Sequence, residues 1–228
     1  VVKTAKSKAH KKNIVCLESL WDHDMENRLT VLPVLELTSK ISGTKSILLT
    51  CNTLEEFSHN LKMLKRKSGY GILYFAFHGF PGGFLIDGSP IELEAVAELM
   101  GKGFSKWVVY FGSCETTKTR RWRILDFMAR TEVSMVLGYK RWVDWVESAA
   151  LDLMLLNRLQ DYKDMRKFWQ FFQRRYGPLI QITGLEAFHR KALNRAPHAI
   201  RGNSRGINRC PKGGKHDRRA EGKVEERV

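Results

Sequence analysis

A histidine and a cysteine, the pair that makes a thiol nucleophile with its general base, each follow an apolar run in the middle of this chain. The first run, Gly71-Ile72-Leu73-Tyr74-Phe75-Ala76-Phe77, delivers His78-Gly79. The second, Trp107-Val108-Val109-Tyr110-Phe111, delivers Gly112-Ser113-Cys114. Runs this short and this rich in aromatic and β-branched residues predict buried strands of a parallel sheet. Between them Ile91 to Met100 repeats its apolar residues at helical spacing, so the unit reads strand, helix, strand. Reactive groups in such sheets gather at the carboxyl ends of the strands. His78 and Cys114 are therefore expected side by side on one rim, as a nucleophile–base dyad.

The rest of the chain supplies the elements that must hold this rim. Asn13 to Leu20, Ser46 to Cys51, Ser134 to Leu137 and Gly184 to Arg190 read as four further strands. Helical spacing covers Val31 to Ile41, ended by Gly43 in the left-handed conformation that glycine tolerates. A second helix starts at Thr53, which with Glu56 makes a capping box, and runs to about Lys67. Trp122 to Arg130, Asp144 to Gln160 and Met165 to Tyr176 are the later helices. Gly79-Phe80-Pro81-Gly82-Gly83 reads as an irregular glycine-rich loop, and Phe84 to Gly88 as a short hairpin. No Lys-Ser/Thr follows these glycines, which excludes a P-loop. The alternation predicts an α/β sandwich, a mainly parallel six-stranded sheet flanked by helices.

Length suffices for one domain with a substantial core, assigned to residues 13–194 between a flexible basic arm (1–12) and a disordered basic tail (195–228). The net charge of +15 lies mostly on these ends: +5 on residues 1–12 and +6 from Arg195 onward, leaving +4 for the middle. Basic ends can contact nucleic acid, but no interleaved aromatic residues offer bases a stacking surface. Four cysteines (Cys16, Cys51, Cys114, Cys210) lack metal-ligand spacing and read as free thiols. No apolar run is long enough to span a membrane and no secretory leader is visible, so the expected compartment is the cytoplasm. His23, between Asp22 and Asp24, could serve a metal or acid–base role; the solvated-loop reading is preferred, and no metal or cofactor is expected.

The two rims together resemble the clan CD cysteine peptidases, the caspase, separase and gingipain group, in which an apolar strand ending in His-Gly precedes one ending in a small residue and Cys. Here these are ILYFAFHG and WVVYFGSC, with the pair 36 residues apart. The closer similarity is to CHAT domains, which commonly carry Cys-Glu-Thr, as Cys114-Glu115-Thr116 does, and resemble the stretch from Val136 through Val143-Asp144 to Ala150. The similarity covers roughly residues 70–160. The residue before the cysteine is Ser113, where these families more often have alanine, and no sensor domain accompanies the site.

The resemblance implies a caspase-like three-layer sandwich and a cysteine peptidase acting on a protein or peptide, regulated by a partner or sensor protein. Cys114 would be the nucleophile and His78 the proton-transfer group. Backbone amides of Gly79 and Cys114 would form the oxyanion hole. A helix following Cys114 is expected to favour the thiolate. Asp144 matches the acid that binds a basic side chain in relatives cleaving after Arg or Lys; Trp142 and Trp145 flank it as candidate pocket walls, with core packing expected for at least one of them. Asp144 is equally a helix cap, with Glu147 three residues on. A non-catalytic scaffold or adaptor, binding nucleic acid or protein through its tails, is the alternative reading, and an esterase or transferase using the same dyad is a third.

Overall fold

The computed structural model describes residues 10–190 except 23, 25 and 27. The expected basic arm up to residue 9, the basic tail, His23 and Cys210 lie outside the described residues. The main sheet has six strands. In chain order they are β1 (Asn13–Glu18), β2 (Ser46–Thr50), β3 (Tyr70–Ala76), β7 (Val108–Phe111), β8 (Met135–Tyr139) and β9 (Leu185–His189). Their spatial order is β2-β1-β3-β7-β8-β9. Every pairing is parallel except that of β9 with β8. β3 and β7 are therefore direct neighbours, with Phe75 opposite Phe111.

Both faces of the sheet are buried, which is why its strands read as nearly continuous apolar runs. One face carries α2 (Leu54–Leu64), α3 (Leu93–Met100) and α4 (Arg121–Thr131) over Leu73, Phe75, Val109 and Phe111. The other carries α1 (Leu32–Ser42), α5 (Trp145–Arg158) and α6 (Met165–Thr183) over Ile72, Tyr74, Tyr110 and Leu137. Alternate residues of one strand thus feed two separate cores, the period-two pattern of a strand.

The local signals act as their chemistry requires. Thr53 and Glu56 form the expected reciprocal cap: the Glu56 amide donates to Thr53 Oγ1 (3.1 Å) and the Thr53 amide to Glu56 Oε2 (3.2 Å). Gly43 closes α1 at φ +61°. α6 extends beyond the expected end at Tyr176, but that residue breaks the helical dihedrals (φ −123°, ψ 25°) two residues before Pro178. A proline inside a helix removes one amide donor and clashes with the preceding turn, so the sequence signal marked a kink rather than an end.

The segment expected to be an irregular loop differs. Residues after His78 form a small antiparallel sheet of β4 (Gly79–Phe80), β5 (Gly83–Ile86) and β6 (Ser89–Glu92). Ile86 pairs with Ser89 across Asp87-Gly88, both at positive φ (45° and 79°), the primed turn that matches strand twist. Its glycines allow turns and close backbone approach and do not prevent pairing. Among the described residues no helix is long and apolar enough to cross a membrane.

Candidate active site

The register fixes the heights of His78 and Cys114. His78 lies three residues beyond Phe75 and Cys114 three beyond Phe111, and those phenylalanines are paired across β3 and β7. Both side chains line one cavity of about 440 Å³. Four neighbouring parallel strands contribute to it from their carboxyl ends: Trp21 follows β1, His78 β3, Cys114 β7, and Trp142 and Val143 β8. α5 closes it with Trp145, Ser148 and Asp152.

His78 is held by a residue other than Cys114. Its Nε2 lies 2.5 Å from the Trp21 carbonyl oxygen, and the Trp21 ring stands edge-on to the imidazole at 5.2 Å. A carbonyl can only accept, so Nε2 carries the proton and Nδ1 is left as the basic nitrogen. Trp21 is in turn fixed by Glu18, the buried last residue of β1. Glu18 Oε1 accepts from Trp21 Nε1 and from the Val31 amide (both 2.8 Å), and Oε2 accepts from Thr30 Oγ1 (2.7 Å).

Cys114 is half-buried. The Val143 amide donates to its Sγ at 3.4 Å, which fixes the sulfur beside the β8 loop. Burial pushes the thiol above its ordinary value, and the Val143 amide returns only part of that. The expected thiolate-favouring helix is not at the sulfur: a turn follows Cys114, and α4 begins at Arg121. The helix dipole acts within about one turn of a terminus, so it does not reach this thiol. Burial therefore favours the thiol form over the thiolate at this position.

Gly79 packs against the cysteine loop. A Cβ on it would overlap the Cys114 carbonyl oxygen and lie 2.7 Å from the Cys114 amide nitrogen and 2.8 Å from the Ser113 carbonyl carbon. Only a bare backbone fits there. Gly79→Ala is expected to destabilise the fold by about 1–3 kcal/mol, as overpacking against rigid backbone does. Urea denaturation checks this, and an unchanged midpoint would show that the two loops separate freely.

Beneath the cavity lies a group that pattern reading missed. Asp152, 3% exposed, sits on the inner face of α5 among Leu151, Leu155 and Leu156. Tyr74 Oη donates to its Oδ2 at 2.5 Å, Tyr139 Oη to Oδ1 at 3.1 Å, and Tyr110 Oη also to Oδ1. Tyr110 and Tyr139 hydroxyls are 2.6 Å apart, and the rings of Tyr74 and Tyr110 stack at 4.9 Å. Burial raises the Asp152 carboxyl to about 6, against the three hydroxyl donors, which lower it. Its signal in the sequence was an acid at an apolar helix position, together with tyrosines at Tyr74 and Tyr110, which the register pairs.

Asp144 stands elsewhere. It is the N-cap of α5, its Oδ1 accepting from the Val146 (2.8 Å) and Glu147 (3.2 Å) amides, and it does not line the cavity. The return contact from Glu147 that would complete a capping box is not found among the described residues. Trp142 does line the cavity, and is 74% exposed at its mouth. Cys16 and Cys51 are free, buried and not among the cavity's lining residues, with thiols that burial raises. Among the described residues no cluster of His, Cys, Asp and Glu could hold a metal ion.

No curated protein matches the chain. One family model does match, over residues 11–186, a span that includes Glu18, Trp21, His78, Cys114 and Asp152. By that match the chain belongs to DUF6642, a family of unknown function.

Proposed function

We propose that this chain is a caspase-like, CHAT-type cysteine endopeptidase that cleaves after basic residues. The observation that carries the reading is the placement of His78 and Cys114 at equal height on adjacent parallel strands, lining one cavity. Cys114 Sγ attacks the substrate carbonyl carbon while His78 Nδ1 takes the thiol proton. The imidazolium, its Nε2–H on the Trp21 carbonyl, gives that proton to the leaving amine as the C–N bond breaks. Water then hydrolyses the thioester, with His78 again as base, and returns the thiol. The Gly79 and Cys114 amides are assigned to the oxyanion, and their tight backbone approach supports that assignment.

The cavity composition supports the specificity. Its walls are apolar (Val34, Trp142, Val143, Trp145), and its floor is the carboxyl of Asp152. A lysine or arginine side chain has the matching order, an apolar stem ending in a cation. Asp152 rather than Asp144 is therefore the acid assigned to the pocket. The test is hydrolysis of fluorogenic peptides with Arg, Lys, Asp or Leu at the cleavage position. Arg and Lys peptides are expected to be cleaved, and Asp152→Asn to lose about tenfold or more in kcat/KM on those two alone. Cleavage of the Leu or Asp peptide only would overturn the specificity, and cleavage surviving in Cys114→Ala would overturn the mechanism.

A further inference from the structure

A second cavity, of about 640 Å³, lies at the other end of the sheet. It is built from the amino ends of the parallel strands: Tyr70 opens β3, Lys106 precedes β7 and Ser134 precedes β8. His189 and Arg190 reach it because β9 runs antiparallel. The charge of this groove is nearly all of one sign. Lys11, Lys12, Lys106, Lys163, Arg166 and Arg190 line it against a single acid, Asp164.

That acid is already engaged. Asp164 Oδ1 caps α6 by accepting from the Arg166 amide (2.9 Å), and Oδ2 lies 3.5 Å from Arg166 Nη2. Lys12 is also spent, its Nζ donating to the carbonyls of His10, Leu159 and Tyr162. Lys106, Lys163 and Arg190 are exposed and have no carboxylate partner among the described residues. The 19-residue helix α6 begins in the groove, adding the positive end of its dipole. His189 Nδ1 is buried there with no hydrogen-bond partner among the described residues. Burial first, then the Arg166 charge, lowers the His189 ring below its ordinary value.

The flanking sequence carries the same sign of charge. The described chain enters at His10 and leaves at Arg190, both in the lining. Residues 1–9 carry Lys3, Lys6 and Lys8 with no acid, and residues 191–228 carry eleven lysines and arginines against four acids. A single phosphate would satisfy one or two of these cations. Three unpaired cations on separate segments match a ligand whose negative charge repeats along a chain.

We propose that this groove binds the phosphodiester backbone of a nucleic acid strand. The site is independent of the cavity at Cys114 and does not rest on peptidase activity.

The test uses the full chain and fluorescein-labelled RNA and DNA strands of about 20 nucleotides, read by anisotropy across a salt series. Lys106→Glu/Lys163→Glu is compared with Lys40→Glu/Lys62→Glu, an equal charge change on exposed positions of α1 and α2. The groove pair is expected to lose about tenfold or more in affinity and to flatten the salt slope by about two, and the control pair to stay within about threefold. Circular dichroism melts confirm that each variant folds. Equal losses in both pairs would show a diffuse charge effect, and unchanged affinity in the groove pair would place binding on the flanking segments; either overturns the proposal. Failure of the wild type to bind any strand overturns it too, as does groove-dependent binding to phosphatidylserine vesicles alone.

Discussion

Replacing Asp152 by alanine is expected to destabilise the fold by about 3–4 kcal/mol, because it removes the common acceptor of three buried hydroxyls. Tyr74, Tyr110 and Tyr139 belong to three adjacent strands, and Asp152 ties their hydroxyls to α5. The hydroxyls of Tyr110 and Tyr139 can still bond each other at 2.6 Å, so part of the loss is recovered. Tyr74 keeps no such neighbour in the network. Asp152→Asn retains an oxygen acceptor and is expected to cost less.

The same carboxyl sets a pH dependence whose sign is fixed. Burial raises Asp152 from 3.8 to about 6, so between these values the folded chain holds a proton that the unfolded chain has released. The associated stability is fully present below 3.8 and is lost as pH rises through about 6, a change of about 3 kcal/mol. Urea denaturation from pH 4 to pH 7 measures it. Wild type should lose about that much relative to Asp152→Asn, and a constant difference between the two would mean an unperturbed carboxyl.

The other large effect is on activity. Cys114→Ala and His78→Ala are each expected to lower peptide hydrolysis by about 10³-fold or more, since the proposed mechanism takes its nucleophile from one and every proton transfer from the other. The losses should not add: removing His78 from a chain already lacking Cys114 leaves no thiol to activate. Single-turnover assays of the two single variants and the double variant check this. Additive losses would show that His78 acts somewhere other than on Cys114.

The strands, and with them the rim, were legible because both faces of a parallel sheet are buried and the chain must spell each strand as an apolar run. Capping chemistry was legible for the same local reason: Thr53–Glu56 and Gly43 answer needs set within one turn of helix. What escaped was long-range. Trp21 reaches His78 through a backbone carbonyl, a group every residue has, so its role leaves no mark on residue type. Asp152 acts across three strands it adjoins only in space. The glycine-rich segment after His78 was read by composition, yet its antiparallel pairing is made by a two-residue turn at Pro81-Gly82, with Phe80 opposite Gly83. Of the two readings of Asp144, pocket acid by matched position and helix cap by local sequence, the local one holds: its carboxylate is engaged by the amides of α5.

The most direct test of the central claim is covalent labelling of the native chain with peptidyl ketones bearing Arg or Lys at the cleavage position. The attachment site is mapped by mass spectrometry in wild type and His78→Ala. The dyad predicts a single adduct at Cys114 that disappears when His78 is removed. Adducts spread over Cys16, Cys51 and Cys210, or an adduct at Cys114 that persists at full rate without His78, would contradict it.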